Sequence, residues 1–190
     1  MRTIEILEFN ELTEVAKARA INQARDKNLF DCSFHYDEAH ESVKEFHKVF
    51  GTKQGIDSFL DVRTGHIDDN ILELSGVRLR TYIINNYYHK LYNRKEYTKG
   101  DKTRKSRIFF VSDGCPLTGV CYDCDLLEDF YNIIEKYDHK GTTLKDMFEN
   151  AFYKLTKSLK SEEEYYYSDE GISEELENNN YEFTTQGNLI

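Results

Sequence analysis

The chain has 190 residues, 39% of them hydrophobic, with 12 phenylalanines and 14 tyrosines, which is enough to bury a core within one domain. Acids outnumber bases by 35 to 25, and no stretch approaches the roughly 18 apolar residues of a membrane-spanning helix, so composition excludes an integral α-helical membrane protein. The opening MRTIEILEFNELTE lacks the basic start and apolar run of a signal peptide, and the four cysteines do not form the lattice of a small secreted domain, so the reading is of a cytoplasmic protein with reduced thiols.

Thr3 to Phe9 sets Ile4 and Ile6, with Leu7 and Phe9, among polar residues and predicts a strand with one buried face. Thr13 suits an N-cap and Glu14 a first turn, so a helix is expected over the Ala-rich stretch Val15 to Arg25. A second helix is predicted from about Asp37. Tyr36, Ala39, His40, Val43, Phe46, His47 and Phe50 recur at three- and four-residue spacing, and Gly51 marks its end. Gln54 to Leu74 reads as a hairpin, QGIDSFLDV and HIDDNILEL joined by an RTG turn. Val77 to Tyr92 returns to helical spacing, with Val77, Ile84, Tyr88 and Leu91 as the inner stripe and Ile83 and Tyr87 widening it.

Arg107 to Ser112 (RIFFVS) predicts a strand that joins the same sheet. Asp123 to Tyr137 and Thr143 to Lys160 both carry strong helical stripes. In the second, Thr143 and Asp146 form a capping-box pattern, and Lys154, Lys157 and Lys160 gather toward the end. A short helix after Ser168 and a strand at Tyr181 to Thr184 with a Gln-Gly-Asn turn close the reading. The expected fold is α+β, a mainly antiparallel sheet packed with five to six helices. Residues 1–160 form the domain, and 161–190 form an acidic helix and hairpin packed on it.

Charge is unevenly placed. Ser161 to Ile190 holds nine carboxylates and no Lys or Arg, and the remainder balances at 26 acids against 25 bases. Glu162, Glu163, Glu164, Asp169, Glu170, Glu174, Glu175 and Glu177 are the candidate partner-binding carboxylates. Helix electrostatics do not account for those toward a helix end. Tyr165, Tyr166 and Tyr167 beside them offer the rigid amphipathic surface enriched at interfaces. The converse segment, read as a loop over residues 90–107, carries Lys90, Arg94, Lys95, Lys99, Lys102, Arg104, Lys105 and Arg107 against Glu96 and Asp101. With Tyr87, Tyr88, Tyr92 and Tyr97 nearby, it either contacts nucleic acid or offsets the acidic tail.

Catalytic signals are weak. Cys121 and Cys124 have a zinc-knuckle step, with Cys115, Cys32 and His35 as further ligand types, but no second pair is present, and ordinary thiols are the better reading. His40 and His47 are seven residues apart, about 10 Å of helix rise, too far to share a metal ion. Asp57, Asp61, Asp68, Asp69 and Glu73 read as a solvated face rather than a metal site. No nucleophile-elbow, Walker or dinucleotide motif is present, so neither an enzyme nor a cofactor is expected.

The strings IEILEFNELTEVAKARAINQARD, SFHYDEAHESVKEF, LTGVCYDCDLLEDFY and YYYSDEGISEELENNNYEFTTQGNLI resemble a family of small phage and mobile-element proteins of gut bacteria, some labelled antitoxin-like. Proteins of this size and acidity are also similar to anti-CRISPR inhibitors of Cas9. That resemblance implies a stoichiometric inhibitor that binds Cas9, or Cas9 with its guide RNA, through an acidic surface acting as a DNA mimic. Neither resemblance supplies an active site. The alternatives are an antitoxin or regulator that binds nucleic acid through residues 90–107 and, third, a metal-dependent enzyme.

Overall fold

The computed structural model describes residues 5–112, 115–136 and 141–190. The expected strand residues Thr3 and Ile4, and the expected helix end at Tyr137, lie outside them. The fold is α+β, with seven helices and six short antiparallel strands among the described residues. The strands form three separate pairs rather than one sheet. The chain divides into two units, Met1–His35 with Leu159–Ile190, and Tyr36–Ser158.

In the first unit, β1 (Ile6–Glu8) pairs antiparallel with β6 (Glu182–Thr184), Leu7 opposite Phe183. Leu7, not Ile6, packs on the core, and Ile6 is exposed; Phe9 is buried in a 3-10 turn, Phe9–Glu11, and so leaves the strand's alternation. Thr13 caps α1 (Glu14–Asp26), its hydroxyl accepting the Ala16 amide at 3.4 Å. Ala16, Ala20 and Ala24 are all buried on α1, and Ile172 and Leu176 of α7 (Asp169–Asn178) join the same core. Ser168 caps α7 through the Gly171 amide.

The tail after β6 is stitched to α1. Gln23 donates to Asn188 at 2.8 Å and accepts the Leu189 amide, and Arg19 donates to the Gln186 carbonyl. Gly187 has φ +79°, and a Cβ there would strike the Ala16 carbonyl, so glycine is needed for both conformation and clearance.

α2 (Ser33–Phe50) begins a turn earlier than its apolar spacing suggests. The Asp31 carboxylate accepts from the amide and hydroxyl of Ser33 and fixes the first turn; the same two bonds hold its carboxyl below the usual carboxylate range. In the Tyr36–Ser158 unit, Phe46 and Phe50 meet Phe130 of α5 (Tyr122–Glu135) and Phe148 of α6 (Leu144–Tyr166). Phe46, Phe130 and Phe148 are fully buried, the kind of site where truncation to Ala costs about 3–5 kcal/mol. α6 runs past Lys160 to Tyr166 because Glu162 to Glu164 are good helix formers, so Lys160 is not in its last turn.

Gln54 to Leu74 is not a hairpin about RTG. β2 (Lys53–Gln54) pairs with β3 (Val62–Arg63), Gly55 donates to the Asp61 carbonyl at 2.7 Å, and HIDDNILEL contains the one-turn α3 (Asp69–Leu72). Asp68 caps α3 through the Asn70 amide, and that capping function outweighs the apparent alternation. α4 (Gly76–Leu91) buries Leu79, Ile83, Tyr87 and Leu91, whereas Val77 is exposed. Arg80 from α4 donates to the carbonyls of Ile133 and Ile134, closing the end of α5.

Candidate functional site

The basic segment is a hairpin, not a loop. β4 (Tyr92–Lys99) pairs with β5 (Lys102–Ser112) around the two-residue turn Gly100–Asp101. Gly100 has φ +62° at the first turn position, where a two-residue turn of II′ type requires glycine. The strand expected at Arg107 to Ser112 therefore finds its partner in β4, not in a common sheet. Register places Glu96 opposite Lys105, Tyr97 opposite Arg104, Thr98 opposite Thr103 and Lys99 opposite Lys102, with an irregularity between Arg94 and Glu96.

Of the eight candidate cations, Lys90 belongs to α4, donates to the Val49 carbonyl and lies over the Tyr87 ring. Lys105 meets Glu96 at 3.4 Å. Arg94, Lys95, Lys99, Lys102, Arg104 and Arg107 are exposed and meet no carboxylate among the described residues. The sequence identified the charge but missed the ribbon. The Gly-Asp step flanked by Thr-Lys and Lys-Thr was the available hairpin signal.

The acidic candidates are distributed over two helices. Glu162, Glu163 and Glu164 occupy the last turns of α6, where the dipole disfavours them; Asp169 and Glu170 occupy the first turn of α7, where it favours them. Several have local partners. Arg25 donates to Asp169 at 2.6 Å, His35 lies 3.2 Å from Glu162, Lys160 lies 3.8 Å from Glu164, and Asn179 donates to Glu175. A hydrogen bond to Glu174, followed by slight burial, raises the Tyr165 phenol above its ordinary range. Glu170 and Glu177 are exposed. The tyrosine triplet divides its roles. Tyr166 packs edge-on against Phe30 and Phe34, Tyr167 accepts from the Cys32 thiol, and Tyr165 is exposed.

Cys115 and Cys124 lie 3.7 Å apart at sulfur, and Cys121 is exposed. Burial and the Cys124 thiol push the Cys115 thiol up to about 11. No group of three or more His, Cys, Asp or Glu side chains among the described residues is placed to hold a metal ion. His40 packs on Phe59, and His47 stacks on Phe152 with Nδ1 at 2.8 Å from the Thr52 hydroxyl. A cleft of about 360 Å³ between α5 and α6 is lined by Asp129, Asn132, Ile133 and Met147, and Asp129 is already paired with Lys154 at 2.6 Å.

Sequence reasoning missed Asp123. Fully buried in the first turn of α5, it accepts the amides of Leu117, Thr118 and Gly119 and the hydroxyl of Thr118, which in turn bonds Ser42. It shapes the loop that carries the cysteines. No described helix is long and apolar enough to cross a membrane. Comparisons with family models, curated proteins and solved structures give no significant match.

Proposed function

We propose that the chain is a non-catalytic inhibitor of a nucleoprotein effector, of the anti-CRISPR type it resembles, and that it binds Cas9 loaded with guide RNA in a one-to-one complex. The observation that carries this reading is the sorting of charge. The unit of residues 1–35 and 159–190 holds fifteen carboxylates against six Lys and Arg, while the other unit is nearly balanced at twenty against nineteen and gathers Arg94, Lys95, Lys99, Lys102, Arg104 and Arg107 on one exposed ribbon. A nucleoprotein presents both complements: Arg and Lys side chains that grip DNA, which carboxylates can occupy, and RNA phosphates, which the ribbon can meet. Inhibition by occupancy requires no reacting group.

Co-purification of the tagged protein with guide-loaded Cas9 at 50 and 500 mM salt, paired with a DNA cleavage assay, tests it. The expected result is a complex at low salt, lost at high salt, with cleavage abolished at stoichiometric protein. Reversing Glu164, Glu170, Glu174 and Glu177 to Lys should weaken the complex at least ten-fold. Absence of a complex at 50 mM salt overturns the proposal.

A second reading, an antitoxin or regulator that binds nucleic acid on its own, is favoured by Lys99 standing directly opposite Lys102, a like-charge pair that folding disfavours. Gel-shift of labelled RNA and DNA by the isolated protein separates it from the first.

A further inference from the structure

We propose that the ribbon takes single-stranded nucleic acid on one of its two faces, the face bearing Tyr97, Lys99, Lys102 and Arg104. The assignment rests on the nucleic-acid role given to the ribbon above and says which side chains perform it and on what form of substrate. Directly opposed residues of an antiparallel pair point to the same side, and successive residues alternate sides. The register therefore places Tyr97 with Arg104 and Lys99 with Lys102 on one face, and Glu96 with Lys105 and Thr98 with Thr103 on the other.

The two faces differ in chemistry. The second is neutralised by its own ion pair, Lys105 to Glu96 at 3.4 Å, and otherwise presents threonines. The first has three cations, one aromatic ring and no carboxylate. Tyr97 is 49% exposed, although its aromatic bulk would favour burial if it served only the fold. Lys99 and Lys102 repel across the strands, so their placement serves something outside the ribbon.

A ring with one cation across the strand and others along the ribbon is an arrangement that grips a single strand: bases stack on the aromatic face, and Lys and Arg follow the phosphates. In a duplex the base faces are already stacked within the helix, and Tyr97 would have nothing to receive. The structure thus favours an unpaired strand, whether RNA or DNA, over a duplex in whose major groove a two-stranded ribbon can also sit.

The experiment is fluorescence anisotropy of the full chain with labelled twelve-nucleotide oligo(U), oligo(dT) and a twelve-base-pair duplex at 50 mM salt. Two double variants change the charge equally. Lys99→Ala with Lys102→Ala strips the proposed face, and Thr98→Glu with Thr103→Glu loads the opposite one. Circular dichroism checks that each variant retains the fold.

The expected result is single strands bound in preference to duplex, an affinity loss of ten-fold or more for the lysine pair, and less than three-fold for the threonine pair. Tyr97→Ala should cost about ten-fold and Tyr97→Phe little, as stacking requires. Equal losses from both double variants overturn the face assignment. Tighter binding of the duplex overturns the single-strand assignment while leaving the ribbon's nucleic-acid role intact. Binding of none of the three probes overturns that role as well, and the charge-sorted inhibitor reading is then judged separately by the Cas9 co-purification.

Discussion

Asp123 and His47 show what single buried polar groups do in the Tyr36–Ser158 unit. One Asp123 oxygen satisfies three backbone donors at 2.7 to 3.1 Å and the other the Thr118 hydroxyl, so removing the buried carboxylate takes four part-buried hydrogen bonds with it. Asp123→Ala is expected to lower unfolding free energy by about 3 kcal/mol in urea titration, and Asp123→Asn by less, because one acceptor oxygen remains. His47 is the converse case. Its Nδ1 bonds Thr52 but its buried Nε2 has no partner among the described residues, and burial lowers its pKa from the ordinary value of about 6.5. The folded protein therefore binds a proton at His47 less readily than the unfolded chain. Stability from this group is complete above about pH 6.5 and is lost as pH falls from there through the lower folded value. The urea midpoint should be lower at pH 5.5 than at pH 7.5, and His47→Gln should narrow that difference; an unchanged gap would count against His47 as its source.

At the scale of elements, the capping box of α6 is a direct test of a feature legible in the residues. Thr143 and Asp146 exchange bonds, the Asp146 carboxylate accepting the Thr143 amide and hydroxyl at 2.8 Å and the Thr143 hydroxyl accepting the Asp146 amide at 3.1 Å. Thr143→Ala should cost about 1 kcal/mol at pH 7 by chemical denaturation. The Thr143 bonds hold the Asp146 carboxyl below its usual range, so this contribution is present above about pH 4 and lost as pH falls through the folded value; the gap between wild type and variant should close in acid. Helices with one sustained apolar stripe, α2, α5 and α6, were readable because the 3.6-residue period reports the buried face itself, and α1 was readable from its alanine content and its Thr13 cap. α4 was readable as a helix but not in its orientation, since its sequence offers both a Val77–Ile84 stripe and the Leu79–Ile83–Tyr87–Leu91 stripe that is actually buried, and only neighbouring elements decide between them. The ribbon escaped notice because seven of the eight β4 residues are exposed, leaving no apolar alternation to read. Its candidate cations were legible from composition, but their division between two faces depends on a register that composition does not encode.

For the molecule as a whole, the residues read as an acidic appendage are half of a structural unit that also contains the first 35 residues. Charge density was visible in the sequence, but the pairing of β1 with β6 was not, because strands of three residues carry too little pattern to identify a distant partner. Gly187 tests that closure. Gly187→Ala places a methyl group against the Ala16 carbonyl and forces a side chain into positive φ, and it should cost about 2–3 kcal/mol in urea unfolding and make the 169–190 segment more sensitive to limited proteolysis. The pairing also orders events on the ribosome. β1 is made first, and its partner follows roughly 175 residues later, a wait of roughly ten to thirty-five seconds at ordinary elongation rates. Throughout that interval the β1 edge and the alanine face of α1 lack the partners that cover them in the folded unit, so nascent chains of this protein should be clients for chaperones until α7 and β6 have been made.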